Sequence, residues 1–208
     1  MAKKKLIIFP YNGNGIEALD CIDMTKYEFL GFIDDDPNKK HVKYPLFSRE
    51  VLQKYKEIHV LAVPGSPTSF RNRRERILSL HVERFATIIH PHSSIGRNVT
   101  IGYNCLVMAG VVLTSNASLG NHICILPNSV LHHDVTVGDF TLIGSNVVVA
   151  GGTEIGDCCY IGSGTNIING ISIGTNSLIG LGSNITKSVI AGSKMVGNPA
   201  RNLNFILQ

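Results

Sequence analysis

The chain has 208 residues, 44% hydrophobic and 16% charged, with a formal net charge of +4. This supports one or two folded domains and excludes a disordered chain. No apolar run approaches the ~18 residues of a membrane span, and the Leu6–Phe9 stretch stops at Pro10, too early for a signal peptide. Five cysteines without metal-like spacing favour a reduced, cytoplasmic setting with no disulfide framework and no metal.

Residues 1–90 read as a small Rossmann-like βα unit. Lys5–Phe9 is a buried-strand run, followed by the turn Gly13-Asn14-Gly15 and a helix over Ile16–Met24. A second strand, Glu28–Ile33, ends in Asp34-Asp35-Asp36. Then come helix Arg49–Tyr55, strand Ile58–Val63, helix Pro67–Leu80 and strand Phe85–Ile89. Gly13, Gly15 and Ala18 form a G-x-G-x-x-A turn with acids about 20 positions on, the dinucleotide-type fingerprint. An ordinary strand–helix turn also fits those glycines. The second half-sheet of a dehydrogenase is missing, so the nucleotide reads as part of a substrate. The basic run Arg71–Arg76 contains Glu75, and the chain has no Trp, so it reads as a solvated helix face and not a nucleic-acid patch.

The second part, residues 91–208, has different physics. It holds 17 of the 21 glycines and carries no net charge, the whole excess of +4 lying before residue 95. From Ile95 to Ile185, sixteen successive positions spaced six apart are all aliphatic. Glycine often follows, as at Gly96, Gly102, Gly120 and Gly138. Small or β-branched residues come four places on, as at Cys105, Ala117, Ser129 and Thr141. A period of six is neither a helix nor an alternating strand; it fits an all-β parallel solenoid of three hexads per coil, about five coils in all. Aliphatics point inward, small residues fill corners, and Gly or Asn takes positive φ. Cys105, Cys124, Cys158 and Cys159 read as small apolar fillers, His90 and His92 as structural, and His122 as isolated.

The runs YNGNGIEAL, GFIDDD, IIHPHSSIG, LHHDVTVGDF and VGNPAR together resemble the bacterial sugar acetyltransferases. These include the nucleotide-linked amino-sugar N-acetyltransferases and the sialic acid O-acetyltransferases. The resemblance spans essentially the whole chain. It implies a left-handed β-helix, assembly as a homotrimer, and acetyl-CoA as acyl donor. It also implies that His133, followed by Asp134, is the general base. An imidazole near neutrality suits proton removal from an attacking amine or hydroxyl, and a neighbouring carboxylate can hold its tautomer. Gly151, Ser163, Leu181 and Pro199-Ala200-Arg201 match coenzyme A positions, with Gly151 also a candidate oxyanion donor. Gly13, Asn14, Gly15, Asp34 and Asp35 match nucleotide-sugar positions. Ile16 and Gly65-Ser66-Pro67 depart from the family loops, and Leu142 stands where some relatives carry a histidine.

Alone, His132-His133-Asp134 also fits a polar solenoid corner. The resemblance implies acetyl transfer to the amine of a nucleotide-activated deoxy-amino sugar in surface-glycan biosynthesis. Transfer to a sugar or sialic acid hydroxyl is the alternative, disfavoured by the Asp34-Asp35 pair. A non-catalytic solenoid is the third reading. Neither nucleic acid nor membrane is an expected partner.

Overall fold

The computed structural model describes residues 2–36, 38–40, 43–65 and 80–203. All but the last residue of the expected helix Pro67–Leu80, and the whole Arg71–Arg76 run, lie outside the described residues.

The N-terminal part is a four-stranded parallel sheet of β1 (Lys4–Phe9), β2 (Tyr27–Ile33), β3 (Leu46–Phe47) and β4 (His59–Ala62), in the order β3-β2-β1-β4. Leu6, Ile7 and Ile8 are fully buried because β1 is an inner strand with apolar clusters on both faces. The helix expected over Ile16–Met24 starts earlier and is shorter. Helix α1 spans Gly13–Glu17, and a 3₁₀ turn covers Ala18–Cys21. Asn12 sets the start, its side chain accepting from the Gly15 N–H at 2.8 Å. Asp23 sets the stop: its carboxylate takes the Thr25 N–H at 2.9 Å, and a turn replaces further helix. Helix α2 covers Glu50–Lys54, within the expected span.

Arg84 ties this part together. It is buried, and its guanidinium donates to the carbonyls of Leu52, Tyr55 and Ile58 at 2.7–3.1 Å. The expected strand Phe85–Ile89 is divided between two sheets. Phe85 bridges Val60 of β4, whereas Ile88–Ile89 is β5, the first strand of the C-terminal part.

From β5 to β21 (Asn184–Ile185) the chain is a parallel β-solenoid of two-residue strands, paired coil to coil at a separation of 18 residues. All sixteen aliphatic repeat positions are the second residue of such a strand. Those from Val107 to Ile185 are buried in one continuous cluster, while Ile95, 41% exposed, stands at the open end with no coil beneath it. At the far end β22 (Lys194–Val196) and β23 (Arg201–Asn202) turn antiparallel and close the stack.

The corners separate two tasks that composition alone merges. The third residue after every aliphatic from Asn98 to Gly182 has positive φ, between 54° and 73°, and is mostly Asn or Gly. The glycine directly after the aliphatic serves another purpose. A Cβ at Gly138 would lie 2.6 Å from the Asp157 amide nitrogen and 2.7 Å from the Gly156 carbonyl carbon, so coil approach requires its absence. Cys105 and Cys159 fill corners as expected, but Cys158 occupies a positive-φ position and Cys124 faces outward.

The residue before each aliphatic defines three faces with a period of 18. Leu106, Cys124 and Leu142 make one apolar face, buried in the same cluster as Leu6, Ile8, Phe32 and Leu61 of the N-terminal sheet. Thr100, Ser118, Thr136, Glu154 and Ser172 make a polar face, and Val112, Val130, Val148, Asn166 and Asn184 the third. Asn104 pins the two parts at the β4 edge, accepting from Ala62 N at 2.7 Å and donating to Ala62 O at 2.8 Å. His122, which looks isolated in sequence, is buried beside it. Its Nδ1 is 2.9 Å from Asn104 Nδ2, and its ring stacks on Phe140 at 4.4 Å.

Candidate active site

His133 and Asp134 sit at the corner after strand Val130–Leu131. Their side chains meet: His133 Nδ1 lies 2.8 Å from Asp134 Oδ2. The hydrogen bond from His133, then one from Asn116 Nδ2 to Asp134 Oδ1 at 2.9 Å, hold the Asp134 carboxyl below the usual carboxylate range. An ionised carboxylate only accepts, so the proton of the neutral imidazole sits on Nδ1 and Nε2 keeps its lone pair. The His133 side chain remains 67% exposed. The pair can therefore take a proton from a group arriving from solvent.

Gly151 stands one coil above. A Cβ there would lie 2.5 Å from His133 Nε2 and 2.6 Å from its Cε1, so the ring edge occupies the space a side chain would fill. The next corner residue, Gly152, has open space around it. Replacing Gly151 by alanine should displace the imidazole and lower kcat by about tenfold or more while thermal stability changes little. Steady-state kinetics beside a melting curve will check this.

The other predicted coenzyme positions frame the third solenoid face. Gly151 lies at the corner on one side of it, and Ser163 and Leu181 lie one coil apart at the corner on the other. Ser163 Oγ accepts from Ser145 N at 3.0 Å, whereas Leu181 is 71% exposed. Pro199-Ala200-Arg201 closes the top of that face, with Ala200 N donating to Asn184 O at 2.9 Å.

The predicted nucleotide-side residues form a second group. Phe9, Pro10, Asn12, Asp34, Asp35, Asp36 and Lys39 line a cavity of about 340 Å³. Both predicted acids carry cationic partners that sequence reasoning missed. Asp34, 7% exposed, accepts from Lys39 Nζ at 2.7 Å and from Tyr11 N at 3.1 Å. Asp35 is gripped in two-pronged fashion by Arg49 at 2.6 Å, whose guanidinium lies 4.6 Å from the centre of the Phe9 ring. Asn14 Nδ2 donates to Pro64 O at 2.8 Å, and a Cβ on Gly15 would lie 2.7 Å from Pro10 O. Asn14 and Gly15 thus shape the loop, and Gly13 leaves open space beside it. Asn12, Lys39, Arg49 and Asn116 were absent from the sequence expectation.

Comparison with known families matches two repeat descriptions. "Bacterial transferase hexapeptide (six repeats)" covers residues 116–151, and "Hexapeptide repeat of succinyl-transferase" covers 93–126, 134–169 and 153–187. The repeat region is similar to that of the hexapeptide transferases, and the chain is an acyltransferase. A search of curated proteins found no match. Among solved structures, the acetyltransferase domain of PglB from Neisseria gonorrhoeae FA1090, in complex with acetyl coenzyme A, matches with a TM-score of 0.86. It is 22% identical, with 97% of this chain and 100% of that chain covered. WeeI from Acinetobacter baumannii AYE matches at 0.81 and 26% identity, with 97% and 100% covered. PerB from Caulobacter crescentus, in complex with CoA and GDP-perosamine, matches at 0.81 and 20% identity, with 97% and 98% covered. The likeness in fold to these structures thus extends over 97% of the chain.

Proposed function

We propose that the protein is an acetyl-CoA-dependent N-acetyltransferase acting on a nucleotide-activated amino-deoxysugar. The observation that carries this is the exposed His133–Asp134 pair, with the Nε2 edge of the imidazole set against a glycine on the next coil. Support comes from PerB, a relative in fold that was solved with CoA and GDP-perosamine.

In this reading the chain as far as Thr87 is a Rossmann-like nucleotide-sugar domain and the solenoid from Ile88 onward, slightly before the expected boundary at 90/91, a left-handed β-helix. Three copies assemble in the cytoplasm. Gly151, Ser163, Leu181, Pro199, Ala200 and Arg201 hold the coenzyme along the third face. Gly13, Asn14, Gly15, Asp34 and Asp35 shape the nucleotide site. Lys39 and Arg49 neutralise Asp34 and Asp35, which lowers the repulsion a diphosphate would meet there. Acetyl-CoA supplies a thioester carbonyl. As the acceptor nitrogen bonds that carbon, His133 Nε2 takes the proton the amine sheds. It returns the proton to the departing thiolate as the C–S bond breaks. Asp134 holds the imidazole in the Nδ1–H tautomer and stabilises the imidazolium.

One observation favours a second reading, transfer to a sugar hydroxyl. Asp34 and Asp35 are paired with Lys39 and Arg49, which removes their repulsion of a carboxylated acceptor such as sialic acid. Thiol release from acetyl-CoA, measured with UDP-, GDP- and dTDP-linked amino sugars and with free sialic acid, separates the two. Turnover with a nucleotide-linked amino sugar is expected. Turnover with sialic acid alone would replace the first reading by the second.

A further inference from the structure

We propose that Asn116 is a positioning residue for the transfer, acting through Asp134 to set the tautomer and orientation of His133. This rests on the reading of His133 as the base.

Among the described residues, the two oxygens of the Asp134 carboxylate have one donor each: His133 Nδ1 at 2.8 Å on Oδ2 and Asn116 Nδ2 at 2.9 Å on Oδ1. With His133 as its sole partner, an exposed carboxylate would turn about its terminal torsion, and the imidazole would follow it. The second donor fixes the carboxylate plane, and with it the ring.

Asn116 is itself held from three sides. It occupies a positive-φ corner at 63°, and its backbone N–H donates to Arg97 O at 2.9 Å. Its Oδ1 accepts from Asn98 Nδ2 at 3.2 Å. Because Asp134 can only accept, Asn116 must present its NH₂ to the carboxylate and its oxygen to Asn98. The assignment of both amides follows from that chemistry. Asn98, Asn116 and Asp134 are thus successive rungs of one corner column, 18 residues apart, with every N–H directed towards the carboxylate.

The column then changes character. The next two rungs are Gly152 and Gly170, both at positive φ and with open space around them. The polar ladder therefore ends at the coil from which His133 Nε2 looks out beside Gly151. In the column of Asn121, Asp139 and Asp157 an Asn-to-Asp contact recurs, with Asn121 Nδ2 at 3.3 and 3.4 Å from the two Asp139 oxygens. There, however, the side chains also accept from the backbone N–H of the coil below, and glycine rather than histidine precedes Asp139.

The test uses Asn116→Gly, which keeps the positive-φ backbone and removes the amide, and Asn116→Asp, which keeps the shape and replaces the donor by an acceptor. Both are made in the natural chain and in an Asp134→Ala background. In the natural background kcat should fall about tenfold, the scale of one charge-assisted hydrogen bond. KM for either substrate should stay within about twofold, as expected when transition-state alignment alone is lost. In the Asp134→Ala background neither change should cost anything more. Nitrogen-15 NMR of the imidazoles gives a readout independent of turnover. The Nδ1–H tautomer should dominate for His133 and become mixed in Asn116→Gly. An unchanged tautomer, an unchanged kcat, or an equal further loss without Asp134 would overturn the proposal. A fully active His133→Ala chain would instead overturn the reading of the base, and the NMR result would still decide whether Asn116 positions the ring.

Discussion

Replacing His133 by alanine should lower kcat/KM for acetyl transfer by about 10²- to 10⁴-fold, the usual contribution of a positioned general base. The ring is 67% exposed, and its one hydrogen-bond partner among the described residues is Asp134, so its removal creates no buried void. The melting temperature should stay within a degree or two of the parent, and coenzyme binding should persist. Kinetics, calorimetry and equilibrium binding on the same preparation distinguish this from a folding defect. Wild-type turnover by a folded His133→Ala chain would refute the mechanism. Asp134→Asn should follow in the same direction with a smaller loss, since an amide can face the ring with either its oxygen or its nitrogen.

The largest stability effect is expected two residues earlier. Leu131 is fully buried in the inner cluster, its strand paired between Val112–Leu113 and Val148–Val149. Cutting it to alanine should cost about 2–5 kcal/mol, because a rigid coil stack cannot collapse into the space left behind. For a chain of this size that corresponds to roughly 5–15 °C in melting temperature. Thr136→Ala, on the outer polar face, is the control and should cost about 0.5 kcal/mol or less. A comparable loss in both variants would contradict the assignment of inward and outward positions.

The solenoid was readable in the sequence because one coil is three periods of six. Each aliphatic from Ile95 onward reports a strand directly, and three hexads per coil fix which residues stack. Helix boundaries near Gly13 were less readable, since Asn12 and Asp23 act through side-chain bonds to nearby backbone that no periodicity reveals. The His133–Asp134 pair was visible as neighbours in the chain. Its support by Asn116 was available from the same arithmetic: subtracting one coil of 18 residues from Asp134 gives Asn116, and adding it to His133 gives Gly151. The partners of Asp34 and Asp35 were not available in this way. Lys39 and Arg49 reach them from irregular segments, where spacing carries no register. The outward column Leu106–Cys124–Leu142 was likewise legible as one in every three hexads, but its cover by the N-terminal sheet was not.

Pairing at a constant separation of 18 residues also governs how the molecule comes apart. Each coil is held chiefly by the coil above and the coil below, so opening should behave as unzipping from an end. The end at Ile95 lacks a lower neighbour, while the other is closed by the antiparallel pair Lys194–Val196 and Arg201–Asn202. Amide protons near residues 94–101 should therefore exchange first, and those of the central coils around Cys124–Tyr160 last, approaching the global unfolding free energy. His133 and Gly151 belong to that slow-exchanging middle. The proposed reacting corner is thus built where transient fraying of the fibre-like stack reaches it least.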